Sequence, residues 1–299
     1  MRKPISVKSN LLQSGLDTLY SEFNADRVVA DPVWMVRRFN RSDDREVVGF
    51  IAAALAFGRV QSVLNSIEGV LAAMGRSPAA FVRAFDPVRQ RDCFNHLVHR
   101  WTHGADFAAL VWILHQMLAR SGSIENFFAE GLAGNAVDVS AALQSFSTRA
   151  QALDVSAIYG RRRPKPGVAY FFSKPSSGGA CKRLNLYLRW MVREDRVDLG
   201  VWTKVRPGQL IVPLDTHIIR VGQCLRLTRF KSPGWRMAAD ITASLRALDP
   251  VDPVRFDFSI CHLGMTNACG FGKKAGDSRC PLKGACSPGQ PGTRRRAIP

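Results

Sequence analysis

Apolar residues recur every three or four positions along most of the chain, the spacing that places them on one face of an α-helix. The stretch Val47-Val48-Gly49-Phe50-Ile51-Ala52-Ala53-Ala54-Leu55 is apolar almost all round, which predicts a central, buried helix. Asp43 and Glu46 stand at its start as a capping-box pair, and Gly58 is its stop. Ser77-Pro78 opens a helix that runs through Phe85, with proline at the first helical position. Asp106 to Arg120 carries the stripe Phe107, Leu110, Val111, Leu114 and Leu118, closed by Gly122. Ser123 with Asn126 starts a short helix, and Val139 to Leu153 gives another. From Lys182 the periodicity resumes through Leu184, Leu186, Leu188, Trp190 and Met191. A short element over Asp198 to Lys204 ends at Pro207-Gly208. Thr216 to Leu227, Met237 to Leu248, and a last helix opened by Asp252-Pro253 and running through Leu263 complete the pattern. Convincing strand alternation is absent, so the predicted class is all-α.

The pattern breaks over 160–179, where Gly160-Arg161-Arg162-Arg163-Pro164-Lys165-Pro166-Gly167 leads to Lys174-Pro175-Ser176-Ser177-Gly178-Gly179. Such a run is either an exposed linker or a phosphate-contacting loop. The 299 residues suffice for a real core, and the expected organisation is one unit over 10–290. It divides into N-terminal helices to about 155, the basic loop 160–179, a central region 176–227, and C-terminal helices with a cysteine loop over 236–286. The segment 289–299 reads as a disordered basic tail.

Charge changes this picture. The chain has 42 Lys+Arg against 24 Asp+Glu, a net +18, with a pI near 10.3. That excess implies an anionic partner, and nucleic acid is the commonest one. The basic N-terminus leads into no apolar run, so no signal peptide is expected, and no window has the ~18 apolar residues of a membrane helix. Seven cysteines, an odd number at low density, fit a reducing cytoplasm rather than a disulfide framework. A monomer in the nucleoid is the expectation.

Candidate chemistry gathers between Ser176 and Arg220. The turn Ser176-Ser177-Gly178-Gly179-Ala180-Cys181 delivers Lys182 to a helix start, and Asp215 heads a later helix. A lysine amine can attack a sugar carbon, and an aspartate can manage the accompanying proton and charge. Taken alone, Lys182 is most simply a solvated surface residue and Asp215 an N-cap.

The segment Val212-Pro213-Leu214-Asp215-Thr216-His217-Ile218-Ile219-Arg220 resembles the V-P-V-D-T-H-V-x-R segment of the helix-hairpin-helix DNA glycosylases, the superfamily of endonuclease III and the 8-oxoguanine glycosylases. Residues 176–182 are similar to its L-P-G-V-G-x-K hairpin, with Gly178 kept and Ala180 at the second glycine. The offset of 33 residues from Lys182 to Asp215 is closer to that of the archaeal 8-oxoguanine glycosylase branch. Leu55-Ala56-Phe57-Gly58-Arg59-Val60 and Leu263-Gly264-Met265 are similar to a bacterial family without assigned function.

This resemblance implies two helical subdomains, a divergent hairpin and an active-site cleft between them. It implies Lys182 as a Schiff-base nucleophile, required to be partly neutral, and Asp215 as the catalytic carboxylate. Double-stranded DNA is the implied partner, held by Gly178, Gly179, Arg183, Arg59, Arg161, Arg162, Arg163, Lys273 and Lys274. Trp190, Phe57 and Phe258 could wall a base pocket, and His217 packs or bonds locally. The implied activity is excision of an oxidised purine such as 8-oxoguanine from DNA, with abasic-site lyase activity. A non-catalytic DNA-binding protein on the same fold is the alternative, and a basic helical protein that matches by chance is a further one.

Many superfamily members hold a four-iron four-sulfur cluster on C-x6-C-x2-C-x5-C. Cys280 and Cys286 match the last pair, Cys269 the first ligand, and Asp277 stands where the second is expected. Cys261 is the remaining nearby thiol. The set either holds a cluster or zinc, or is the remnant of a lost site, which is the reading preferred, so no cofactor is required.

Overall fold

The computed structural model describes residues 7–22, 31–265 and 280–286, and is mostly helical. Helices α1 (Val7–Glu22) and α2 (Val33–Arg37) precede α3 (Ser42–Ala54), α4 (Val60–Met74) and α5 (Pro78–Arg83). Two short strands, β1 (Val98–His99) and β2 (Thr102–His103), lead into α6 (Gly104–Ser121), α7 (Ile124–Ala129) and α8 (Ser140–Ala152). Two single turns, α9 (Ser156–Tyr159) and α10 (Pro166–Ala169), are followed by α11 (Lys182–Val192), α12 (Thr216–Cys224), α13 (Trp235–Arg246) and α14 (Asp257–Met265). No helix among the described residues is long and apolar enough to cross a membrane.

The apolar run predicted to be central is central. Every residue of α3 from Glu46 to Ala54 is buried, and α11 packs along it. Gly49 makes room for the Met191 side chain of α11: a Cβ there would lie 2.7 Å from Met191 Cε. Tyr187 of α11 donates to the Glu46 carbonyl 3.2 Å away, tying the same pair. Buried apolar side chains from α1 to α14 form one connected core.

The capping-box expectation for α3 is wrong, and the correction is informative. The α3 cap makes no side-chain hydrogen bond. Glu46 instead accepts from the backbone N–H of Ile124 (3.0 Å) and Glu125 (2.6 Å), and from Trp202 Nε1 (2.9 Å). It thereby caps α7, whose first amides lack partners within their own helix. Asp44 does the same for α5, accepting from Ala79 N at 2.8 Å. Burial pushes the Glu46 carboxyl pKa upward.

Other expectations also shift. The strands β1 and β2 pair antiparallel, Val98 with His103 and His99 with Thr102, where no strand was expected. Two-residue strands are too short for alternation to show. Residues 198–204 are not helical; the backbone there bonds back to Trp190 and Met191 at the end of α11. The last helix starts at Asp257, five residues after Asp252. Helices α1, α2 and α4 were not anticipated, although Leu12, Leu16 and Leu19 of α1 follow the helical spacing.

The run 160–179 is not a bare linker. Phe171 and Phe172 are fully buried, and Gln151 Nε2 donates to the Phe172 carbonyl at 2.6 Å. Arg161, Arg162 and Arg163 sit on the exposed part of that loop.

Candidate active site

The N-terminal end of α11, the segment 213–217 and one face of α14 enclose a cavity of about 470 Å³ with the loop that joins α3 to α4. Lys182, Leu186 and Arg189 line it from α11, at the i, i+4, i+7 spacing of one helical face. Asp257, Cys261 and Met265 line it from α14 at i, i+4, i+8. Asp215 enters from the start of α12, and Asp31, Ala56 and Gly58 from the N-terminal side. Lys182 and Asp215, the two candidate catalytic residues, therefore share one cavity.

Lys182 is half-buried, and among the described residues its amine has no hydrogen bond or ion pair. The residue before it, Cys181, adopts a left-handed conformation (φ 48°) that turns the chain sharply into α11. Gly178 has φ 80°, and both Gly178 and Gly179 are exposed in the turn ahead of it. The Gly178 carbonyl accepts from Trp235 N at 3.0 Å, anchoring the turn to α13.

The two oxygens of Asp215 have separate tasks. Oδ1 accepts from the backbone N–H of His217 (2.9 Å) and Ile218 (2.7 Å), capping α12. Oδ2 accepts from the Cys261 thiol at 3.0 Å. A thiol is a weak donor, so Oδ2 keeps acceptor capacity for other groups. The ring of His217 packs against Gly264 of α14, where a side chain would collide with it.

Behind this carboxylate lies a buried ion network. Arg189 bonds Asp198 through Nε (3.2 Å) and Asp257 through Nη1. Arg193 grips Asp252 at 2.9 Å, Asp195 at 3.0 Å and Asp198. Burial pushes the Asp257 carboxyl up to about 7; Arg189 pulls against that rise and nearby Asp215 adds to it. Among the described residues, the buried Asp257 Oδ1 and Arg189 Nη2 have no hydrogen-bond partner. Burial likewise drives the Cys261 thiol well above its ordinary value, with Asp215 and Asp257 adding to it. That thiol stays protonated and serves as a donor.

The remaining candidates separate. Arg59 is exposed next to the cavity, between Gly58 and Val60 of its lining. Arg183 is not a surface cation: it is buried, donates to the Tyr170 carbonyl, and lies 3.4 Å from the centre of the Tyr170 ring. Its place on α11 turns it away from the Lys182 face. Burial lowers its pKa to about 10. Of the three candidate aromatic walls, Phe258 lines the cavity and Trp190 is wholly in the core. Phe57 lies in the loop beside Gly58.

Cys269, Lys273 and Lys274 lie outside the described residues. Cys280 is buried and Cys286 half-buried, in a turn against α1. Cys261 is engaged with Asp215, and no group of three or more potential metal ligands occurs among the described residues. Sequence reasoning missed Arg189, Asp257 and the pairing of Cys261 with Asp215. A signal existed at position 257, where an aspartate stands among Phe256, Phe258 and Ile260.

The fold is that of a helical protein carrying an amine and a carboxylate in one cleft. Residues 31–266 match a family described as a protein of unknown function, DUF2400. That match spans well over half of the chain, and the chain belongs to this family. No curated protein and no solved structure matches it.

Proposed function

We propose that this protein is a DNA glycosylase that removes an oxidised purine such as 8-oxoguanine and has abasic-site lyase activity. The observation that carries the reading is the convergence of Lys182 and Asp215, 33 residues apart in the chain, on one cavity. A DNA-binding protein without chemistry has no need of this pairing.

In the proposed reaction a nucleotide leaves the stacked duplex and enters the cavity. The neutral Lys182 amine attacks the sugar carbon bearing the base. The glycosidic bond breaks and the base departs with the bonding electrons, taking up a proton. Loss of the amine proton and opening of the sugar ring then give a Schiff base between Lys182 and the sugar. Asp215 Oδ2 faces the positive charge that develops on the sugar as the bond breaks. Two backbone amides and the thiol hold the carboxylate in position for this.

The surroundings support the reading. The exposed Gly178-Gly179 turn immediately before Lys182 is suited to approach of a phosphate, and Arg59 stands beside the cavity. The division of the cavity lining between N-terminal loops and C-terminal helices supports a cleft between two helical subdomains. The net +18 supports duplex DNA as partner.

Borohydride trapping on labelled duplexes, each with one lesion, tests the proposal. Wild type is expected to form a covalent adduct on an oxidised-purine duplex, and folded Lys182→Ala to form none. An adduct that persists in Lys182→Ala removes Lys182 as nucleophile. DNA binding with neither adduct nor base release on any lesion makes the protein a non-catalytic binder.

A further inference from the structure

A cluster of aromatic rings stands at the rim of the cavity, and the proposed chemistry leaves it unused. The turn between β1 and β2 projects Trp101, whose surface is 51% exposed. Its indole stacks on Phe57, with ring centres 5.0 Å apart and planes at 30°, and meets the edge of Tyr170 at 5.1 Å. Tyr170 is itself 40% exposed. The Arg183 guanidinium lies 3.4 Å from the Tyr170 ring centre and 5.3 Å from that of Phe57, so a cation backs the aromatic group.

This group is held rigidly. His99 in β1 bonds Ser66 Oγ at 2.8 Å through Nδ1 and the Phe57 carbonyl at 3.1 Å through Nε2. Arg100 sits at the hairpin tip with φ 59°, a left-handed conformation uncommon for a residue with a side chain. The hairpin also touches the cavity wall: a Cβ placed on Gly58, which lines the cavity, would lie 3.0 Å from the Arg100 guanidinium. Trp101 and Tyr170, with the half-buried Phe57, form one contiguous exposed aromatic patch, the kind of surface that marks a binding site.

We propose that Trp101, supported by Phe57 and Tyr170, is a stacking platform for the DNA base left without its partner when the opposite nucleotide occupies the cavity. Aromatic faces accept any base by stacking, with little demand for sequence. The exposed cations near the platform, Arg59 and Arg100, match a polyanion. Contact with the cavity wall places the platform where the gap in the duplex opens. The proposal rests on the glycosylase reading only in placing the absent nucleotide in the cavity.

The test uses the full chain and needs no chemistry. Duplexes carry 2-aminopurine opposite either a tetrahydrofuran abasic site or an intact partner base. Wild type is expected to bind the abasic duplex more tightly than the paired one and to quench the 2-aminopurine. Trp101→Ala should lose the quenching and about tenfold or more of the affinity for the abasic duplex. Trp101→Phe, which keeps a ring, should retain most of both. Circular dichroism and thermal melting verify that each variant is folded. Folded Trp101→Ala with unchanged quenching and affinity overturns the platform, as does an equal loss on paired and abasic duplexes. Absence of base release on every lesion counts against the glycosylase reading alone, because the abasic duplex asks for none.

Discussion

The arginines of Arg161-Arg162-Arg163 and those of α11 and its C-terminal cap, Arg189 and Arg193, look alike in the sequence and have opposite fates in the fold. The first three are exposed on a loop, with Arg162 in a single 3.7 Å pair to Asp154. Arg189 and Arg193 are almost fully buried and bind four aspartates between them. The count of 42 Lys+Arg therefore overstates how many cations are offered to a partner. Cations inside the protein organise its structure, and those outside face solvent.

The largest effect separating these two regions is expected from Arg193→Met. It leaves the carboxylates of Asp195, Asp198 and Asp252 without their shared cation, and breaking a buried pair from one side costs about 3–5 kcal/mol. Urea unfolding measures it, and a loss below ~1 kcal/mol would mean that the network is open to water.

A pH dependence follows from the same network. Folded Asp257 titrates near 7 and the unfolded residue near 4, so the folded state binds the proton more tightly. The stability this contributes is complete below about pH 4 and is lost as pH rises towards 7. The stability of wild type relative to Asp257→Asn should therefore fall across that window, by at most ~4 kcal/mol, and stay level above it. Unfolding curves at pH 4, 5.5, 7 and 8 check the sign. A difference independent of pH would show that Asp257 binds its proton equally well folded and unfolded.

Glu46→Ala should cost roughly 1–3 kcal/mol, because two backbone amides of α7 and the Trp202 indole lose their common acceptor. Glu46→Gln, which retains an acceptor oxygen, should recover part of it in thermal melts. The smallest effect on folding is expected where the cations are exposed. Arg161→Ala, Arg162→Ala and Arg163→Ala combined should change stability by less than about 0.5 kcal/mol. If all three touch phosphate, the same variant should reduce the salt dependence of DNA binding by a log–log slope of about 3. An unchanged slope would place DNA elsewhere.

The central helix α3 was legible because every position in its apolar run points to the same buried environment. The helix start at Lys182 and the cap at Asp215 were legible for a related reason: both are local signals, carried by neighbouring residues. What could not be read was the destination of side chains bonding across long separations. Glu46 has the spacing of a cap for its own helix and caps another one 78 residues away. Arg183 has the composition of a DNA contact, but its position on α11 turns it onto Tyr170. Cys261 belongs to a cysteine pattern, and yet its thiol meets a carboxylate brought to it by the packing of α12 on α14.

The close contact at Gly49 has a mechanical meaning. Eleven residues make α11 a rod of about 16 Å, with Lys182 at one end and the Arg193 network just beyond the other. Packed against α3, such a rod holds the Lys182 end and the Arg193 end at a fixed separation. A methyl group added at position 49 would push on Met191, near the Arg193 end. The terminal methyl of Met191 sits on a flexible side chain and can yield, so the substitution is absorbed at Met191 before it reaches the rod.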